Sequence, residues 1–166
     1  MAAVELYLIR HAIAAERGEA YPDDSKRPLT AEGISRMRTQ AKGLKAIGVS
    51  LDVIISSPLV RTRQTAEIVA NALLAKPDVL LSDALAPGGT SDAVIQELAR
   101  HAKKRAVALV GHEPDLGELA ARLIGAGRAL EFKKGGVCRI DVGMLPPKGA
   151  GSLVYFLPPR LLRQLA

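Results

Sequence analysis

Residues 106–110 constrain the fold more than any other stretch, because they contain only Ala, Val and Leu. A short apolar run of this kind, bounded by polar residues, is typical of a strand buried on both faces at the centre of a parallel sheet. Further strand-type runs lie at residues 4–9, 51–55 and 79–81. Helix-type segments separate all of these runs, and such alternation predicts an α/β domain with a parallel sheet.

The helical segments are predicted at residues 31–48, 58–73, 92–103, 115–124 and 158–166. Thr30 is predicted to cap the first of them, and Ser57 to cap the second with Pro58 at its first helical position. Two late strands, at 136–142 and 153–157, are expected to pair antiparallel. The predicted fold is therefore a three-layer sandwich over residues 1–166, in which helices cover both faces of a mostly parallel sheet with an antiparallel C-terminal edge.

Polar residues that could take part in binding or catalysis lie at or after the ends of three predicted parallel strands. Arg10 and His11 end the first strand, Arg61 lies shortly after the second, and His112 follows residues 106–110. Because the carboxyl ends of parallel strands share one edge, where ligands bind, we expect these four side chains to meet. The convergence follows from the predicted topology alone.

Two arginines and two histidines are suited to a phosphoryl group. Guanidinium groups can neutralise its oxygens, while one imidazole attacks phosphorus and the other donates a hydrogen bond as charge develops. A metal site is the alternative, since His11, His112, Glu113 and Asp115 include suitable ligand types. Two arginines in the same pocket would repel a divalent cation, so we expect neither a metal nor another cofactor.

The overall charge and composition restrict the partners and the compartment. The net charge of +6 favours acidic or phosphorylated partners, whereas an aromatic share of 3% disfavours nucleic acid. The single cysteine, Cys138, lies in an apolar run and is expected to pack in the core. We find no run of apolar residues long enough to span a membrane and no basic leader, so we expect a cytoplasmic protein that does not associate with membranes.

Three segments, residues 8–12, 56–66 and 110–114, resemble the signature blocks of the histidine phosphatase (phosphoglycerate mutase-like) superfamily. The short chain, the Arg-His-Ala sequence that ends at Ala12, and residues 27–33 most resemble the SixA-type protein-phosphohistidine phosphatases. This resemblance implies a phosphoglycerate mutase-like fold. It also implies a phosphohistidine intermediate on the histidine at position 11 and a phosphate pocket completed by Arg10, Arg61 and His112.

Other polar residues have less certain assignments. Many superfamily members place a carboxylic acid after the third strand to protonate an alcohol leaving group, and Asp83 stands near that position. The pattern around Asp83 fits a solvated loop residue better than a general acid. Ser57 and Thr65 are expected to be cap and packing residues, and Arg63 to be a solvated helix residue. His101 is expected to lie near a helix C-terminus, where the helix dipole tolerates it. The polar loop at residues 12–28 begins at the site and can partly cover it.

These observations predict a phosphatase whose substrate is phosphohistidine on a signalling protein. A broad phosphomonoesterase acting on small molecules is the main alternative. A mutase is disfavoured, because reorienting a bisphosphate calls for more enclosure than the short segment after the third strand provides. A non-catalytic phosphate-binding module is also disfavoured, since such a module needs the arginines but has no need of a nucleophilic imidazole.

Overall fold

The computed structural model describes residues 3–166, so the first two residues of the predicted domain lie outside the described residues. Its strands are β1 (Val4–Arg10), β2 (Val53–Ser56), β3 (Asp78–Leu81), β4 (Ala106–Gly111), β5 (Val137–Val142) and β6 (Ser152–Leu157). They form one sheet in the order β3-β2-β4-β1-β5-β6. Strands β1 to β4 are parallel, while β5 and β6 pair antiparallel, which confirms the predicted sheet.

The helices are α1 (Ala31–Ala46), α2 (Val60–Ala72), α3 (Ser91–Leu98), α4 (Asp115–Ile124) and α5 (Pro159–Leu165). Short 3-10 turns lie at Asp24–Lys26, Asp83–Leu85 and Ala99–His101. The prediction of one helix over residues 92–103 was therefore too long, since α3 ends at Leu98 and tightens into a 3-10 turn.

Side-chain alternation along the strands divides the core between the two faces of the sheet. On β1, Tyr7 and Ile9 pack in the cluster that includes residues of α1, α2 and α5. Leu6 and Leu8 pack in the opposite cluster, with residues of α3 and α4. Successive side chains of a strand point to opposite faces, so β1 contributes to both layers. Helices thus cover both faces of the sheet, as predicted.

Strand register brings the predicted site residues to one edge. β1 pairs with β4 so that Arg10 lies opposite Gly111, and β2 pairs with β4 so that Ser56 lies opposite Val110. The residues that follow these strands, His11, Ser57 and His112, consequently leave the sheet side by side. β4 is buried along its whole length, which fits its central place in the parallel part of the sheet.

The start of α2 differs from the prediction. The helix begins at Val60 with Leu59 as its N-cap, and Pro58 lies before it. The Ser57 hydroxyl accepts a long hydrogen bond from the Leu59 amide at 3.3 Å and also contacts the imidazole of His112. The hydroxyl group that was expected to cap the helix therefore also contacts His112, which is distant in the sequence. Local helix-start signals give no indication of such a contact.

Two further features of the fold bear on the sequence analysis. Within residues 3–166 we find no helix with both the length and the apolar character that a membrane span requires. Cys138 is fully buried in β5, and this burial raises the pKa of its thiol to about 12. The thiol is therefore protonated at neutral pH and packs as a small apolar side chain.

Candidate active site

His11 is the first residue after β1 and is 7% exposed. Its Nδ1 lies 2.7 Å from the carbonyl oxygen of Ala12. Since a carbonyl oxygen only accepts hydrogen bonds, Nδ1 carries the proton and Nε2 keeps its lone pair. Burial and, to a smaller extent, the charges of Arg61 and Arg10 together lower the pKa of His11 to about 4, although the hydrogen bond to the Ala12 carbonyl raises it. At neutral pH His11 is therefore a neutral imidazole whose Nε2 can attack an electrophile.

Arg10 and Arg61 each donate hydrogen bonds from terminal Nη atoms and keep an unpaired donor at Nε. Arg10 donates from Nη1 to the carbonyl of Phe132 at 2.7 Å. Arg61, in the first turn of α2, donates from Nη1 to the carbonyl of Asp24 at 2.9 Å and from Nη2 to its carboxylate at 3.1 Å. In the described part of the chain, the buried Nε of each arginine has no hydrogen-bond partner. An unmet buried donor costs about 1–3 kcal/mol, so both groups suit an incoming oxyanion.

His112 follows β4, and its ring centroid lies 5.4 Å from that of His11. Its Nε2 lies 2.8 Å from the Ser57 hydroxyl, which orients the ring. Burial and, to a smaller extent, the nearby His11 and Arg61 together lower the pKa of His112 to about 3. His112 is consequently neutral at neutral pH. Sequence analysis missed this contribution of Ser57, because its partner is distant in the chain.

Thr65 ties the loop that follows His11 to helix α2. Its hydroxyl donates to the carbonyl of Arg61 at 2.8 Å and accepts from the amide of Ala12 at 3.1 Å. Thr65 is fully buried, so this link lies inside the protein. It fixes the residue after His11 relative to the helix that carries Arg61.

The loop at residues 12–28 brings a carboxylate to the mouth of the site. Besides Arg61, Asp24 contacts Nε of Arg27 at 2.8 Å and Nε of Arg17 at 3.4 Å. Partial burial raises the pKa of Asp24, but the hydrogen bonds and charges of Arg27 and Arg61 outweigh this effect and lower it. Asp24 is therefore an ionised counter-ion for three arginines. Sequence analysis placed it only in a polar loop.

Glu113 braces the opposite wall through backbone contacts. Its Oε1 accepts from the amide of Gly117 at 2.7 Å, and its Oε2 accepts from the amide of Phe132 at 3.1 Å. Phe132 is the residue whose carbonyl holds Arg10, so Glu113 supports the arginine indirectly. Gly117 permits this packing, because a Cβ there would lie 1.9 Å from the carbonyl oxygen of Leu130.

All four residues predicted to meet line one cavity of about 270 Å³. Five arginine and lysine side chains and two carboxylates line it, so the cavity is positively charged. The cationic and the neutral polar residues of its wall are Arg10, His11, Arg17, Arg27, Arg61, His112 and Lys134. Such a cavity suits a dianion.

Asp83 does not join this constellation. It is exposed in the 3-10 turn Asp83–Leu85 and is not among the residues that line the cavity. Arg63 faces solvent, with its Nε 4.0 Å from a carboxylate oxygen of Glu67, and His101 lies in the turn after α3. None of these three residues contributes to the wall of the cavity.

The described carboxylates do not form a metal site. Between residues 3 and 166, no group of three or more His, Cys, Asp and Glu side chains is arranged to hold a metal ion. Asp115, one of the ligand types considered from the sequence, accepts a hydrogen bond from the amide of Gly88 at 2.9 Å. The cationic groups that line the cavity are four guanidinium groups and the ammonium group of Lys134.

Comparison with known proteins agrees with this geometry. The sequence model of the histidine phosphatase superfamily (branch 1) matches residues 6–85. An uncharacterized protein of Picosynechococcus sp. is 41% identical over 144 residues, which cover 84% of this chain and 86% of that protein. Phosphohistidine phosphatase SixA of Escherichia coli K12 is 30% identical over 123 residues, covering 72% of this chain and 74% of SixA.

A solved structure is also similar over nearly the whole chain. The protein histidine phosphatase SixA complexed with tungstate superposes with a TM-score of 0.85 at 25% identity. The superposition covers 96% of this chain and 99% of that protein.

Proposed function

Because the chain belongs to the histidine phosphatase superfamily and is of the SixA type, we propose that it hydrolyses phosphohistidine on a protein through an intermediate on His11. Membership of the superfamily together with the similarity to SixA supports phosphatase activity. The substrate and the intermediate are the proposal. The observation that carries it is the neutral His11 imidazole, with its Nε2 lone pair, in a cavity shared with two arginines that each keep a buried free donor.

The first chemical step is transfer of the phosphoryl group to the enzyme. Nε2 of His11 forms a bond to phosphorus while the bond from phosphorus to the substrate imidazole breaks, and that imidazole departs with a proton on its ring. Arg10 and Arg61 donate to the phosphoryl oxygens, which spreads the charge of the transition state. His112, held by Ser57, donates a further hydrogen bond once the incoming anion has raised its proton affinity.

The second step returns the enzyme to its starting state. Water attacks the phosphorus of the phosphorylated His11, and the bond from phosphorus to Nε2 breaks. Inorganic phosphate leaves as H2PO4−, which carries the oxygen and both protons of the water. The Ala12 carbonyl keeps the proton on Nδ1 throughout, so Nε2 is again the free nitrogen. Both steps use the same arginines and the same second histidine.

The leaving group explains why phosphohistidine is favoured over an alkyl ester. Free imidazole titrates near 6.5, so a phosphorylated ring can take up its own proton near neutral pH and leave as a neutral group. An alkoxide needs a proton from an enzyme acid. Both carboxylates that line the cavity are already engaged, Asp24 by arginines and Glu113 by two backbone amides.

Hydrolysis of small phosphomonoesters is the second candidate. The cavity of about 270 Å³ is large enough for a small phosphorylated metabolite, and the loop at residues 12–28 forms part of its wall. A loop in this position narrows the cavity, and a narrow cavity favours small substrates over large ones. The two candidates therefore share the phosphate pocket and differ in the leaving group.

The test compares His11→Asn with wild type on free phosphohistidine, a histidine-phosphorylated peptide and a panel of alkyl phosphomonoesters. Wild type should form an acid-labile, base-stable phosphoenzyme within one turnover. His11→Asn should form none and lose roughly 10⁴-fold or more of the rate. His101→Asn, which changes a histidine outside the cavity, is the matched control and should behave like wild type. Retained activity in His11→Asn would exclude the mechanism, and fast turnover of alkyl esters alone would favour the second candidate.

A further inference from the structure

A second cavity, of about 600 Å³, adjoins the phosphate pocket. Its walls are the end of β1, helix α1, residues 133–134 and the start of α5. We name it the basic groove, and its charged lining consists of Arg10, Arg36, Lys133, Lys134, Arg160 and Arg163. Arg10 and Lys134 also line the phosphate pocket, so the two cavities are neighbours that share part of a wall.

The basic groove is positive along its length. Six arginine and lysine side chains line it, and its described lining contains no Asp or Glu. Arg36 pairs with Glu32 on the exposed surface of α1, a contact of the kind that contributes little. Arg163 donates to the neutral amide oxygen of Gln40 at 2.9 Å rather than to a carboxylate. Within residues 3–166, Lys133 and Arg160 are exposed and form no ion pair, so their charge is available to a ligand.

The remaining lining indicates a polypeptide ligand. Ile13, Pro158, Pro159 and Leu161 give the groove an apolar part, and none of its described lining residues is aromatic. Surfaces that bind single-stranded nucleic acid combine positive charge with aromatic side chains on which bases stack. An apolar floor between cations instead fits a peptide that carries both acidic and apolar side chains.

The groove and the phosphate pocket are fixed relative to each other by hydrogen bonds. Gln40 donates from Nε2 to the carbonyl of Gly135 at 3.1 Å, and the Gly135 amide donates to the carbonyls of Arg10 and His11 at 3.1 and 3.0 Å. Together with the bond from Arg163 to Gln40, these contacts connect α5 and α1 to the residues of the phosphate pocket. A substrate that occupies both cavities meets a preformed surface.

We propose that the basic groove binds an acidic segment of the histidine-phosphorylated protein while its phosphohistidine enters the neighbouring pocket. This inference rests on the proposed function and adds the chemistry that selects the protein. Charge complementarity of this kind speeds association and orients the partner, and it leaves the phosphoryl transfer itself unchanged. It should therefore act on KM for protein substrates and have little effect on small ones.

The experiment uses two synthetic peptides of equal length, each with one phosphohistidine. One carries four Glu residues in its flanking sequence, and the other carries Gln at those positions; free phosphohistidine is the third substrate. The groove variant combines Arg36→Gln, Lys133→Gln and Arg160→Gln, which leave the phosphate pocket intact. The matched control combines Arg38→Gln, Lys42→Gln and Lys45→Gln, which remove the same charge from a separate surface between α1 and α2.

At low salt, wild type should prefer the Glu peptide by about tenfold or more in kcat/KM. The groove variant should lose this preference through a higher KM for the Glu peptide, and the control variant should keep it. Both variants should hydrolyse free phosphohistidine at a rate within about twofold of that of wild type. Equal losses in both variants would overturn the inference, since net charge alone would then account for them. Equal hydrolysis of both peptides by wild type would also overturn the inference. Because both peptides carry phosphohistidine, that result would leave the proposed function standing.

Two further outcomes would also overturn the inference. If a 12-nucleotide single-stranded DNA inhibits wild type more strongly than an unphosphorylated Glu peptide, and the groove variant resists it, the groove serves nucleic acid. If wild type hydrolyses none of the three phosphohistidine substrates but does hydrolyse alkyl phosphates, the proposed function fails and the inference fails with it.

Discussion

The site has two walls that are built differently. The strand-end wall consists of His11, His112 and Arg10, which follow or end buried parallel strands. The loop wall consists of Asp24 with Arg17, and it comes from the irregular segment before α1. His11 and His112 are almost fully buried, whereas the side chain of Asp24 is 44% exposed and that of Arg17 is 79% exposed. The groups suited to chemistry thus lie on the strand-end wall. The loop wall contributes exposed charged groups at the mouth of the cavity.

This difference predicts that substitutions at the strand-end wall and in α2 lower the activity far more than substitutions in the loop wall. The largest effect is expected for the two arginines. Arg10→Gln and Arg61→Gln should each lower kcat/KM by about 10²–10³-fold, because each removes a preformed donor to the phosphoryl oxygens. Steady-state kinetics with phosphohistidine measures this loss. Arg63→Gln, which removes the same charge from the exposed face of α2, should stay within about twofold of wild type. Comparable losses in all three variants would contradict a specific role for the buried pair.

Ser57→Ala should have the next largest effect. The hydroxyl orients His112, and its loss leaves a buried imidazole nitrogen without its partner, at a cost of about 1–3 kcal/mol. We expect kcat to fall roughly tenfold to hundredfold. Thr62→Val is the matched control, because the Thr62 hydroxyl donates to backbone carbonyls of the same turn and does not contact His112. A loss of stability without a loss of kcat is expected for Thr62→Val; equal losses of kcat would remove the orienting role of Ser57.

Asp24→Asn should cost less than either change. Asn keeps a side-chain oxygen near Arg61 but removes the charge that pairs with it, and contacts of a partly exposed carboxylate contribute little. We expect kcat to fall by about fivefold at most, with KM unchanged or lower because the cavity becomes more positive. Since the pKa of Asp24 lies below its ordinary value, the wild-type carboxylate stays ionised and should produce no pH dependence near neutrality.

The neighbouring Asp23→Asn is the control for this prediction, because the Asp23 carboxylate accepts from Ser25 at 3.0 and 2.6 Å. A larger loss for Asp24→Asn than for Arg10→Gln would reverse the ranking of the two walls. The loop would then take part in the chemistry directly.

The smallest effect is expected for Asp83→Asn. Asp83 is exposed and outside the cavity, so the substitution should change hydrolysis of phosphohistidine and of alkyl phosphates by less than about twofold. A catalytic acid would contribute about 10²–10⁴-fold. A drop of that size confined to alkyl phosphates would make Asp83 a general acid, brought to the substrate by a movement of its turn, and would favour the phosphomonoesterase.

The order of apolar runs and helical segments along the chain was sufficient to predict the architecture and the meeting of the four central residues. The apolar composition of β1 and β4 is a local property of the sequence, and strands that alternate with helices imply a parallel sheet whose strand ends share an edge. The ends of elements were harder to predict. Pro58 seemed to begin α2, but the helix starts at Val60, and local start signals carry no information about the contact between Ser57 and His112.

The sequence by itself determined which residues end or follow the parallel strands, and therefore that Arg10, His11, Arg61 and His112 converge. The tertiary structure alone decided their partners. Asp24 contacts Arg61 from a loop in which Arg27 also donates a hydrogen bond to the carbonyl of Ala15. The burial of strands and the type of each element follow from short-range patterns of apolar residues. Loop paths and contacts between distant elements depend on the packing of the whole chain, which leaves no short-range pattern in the sequence.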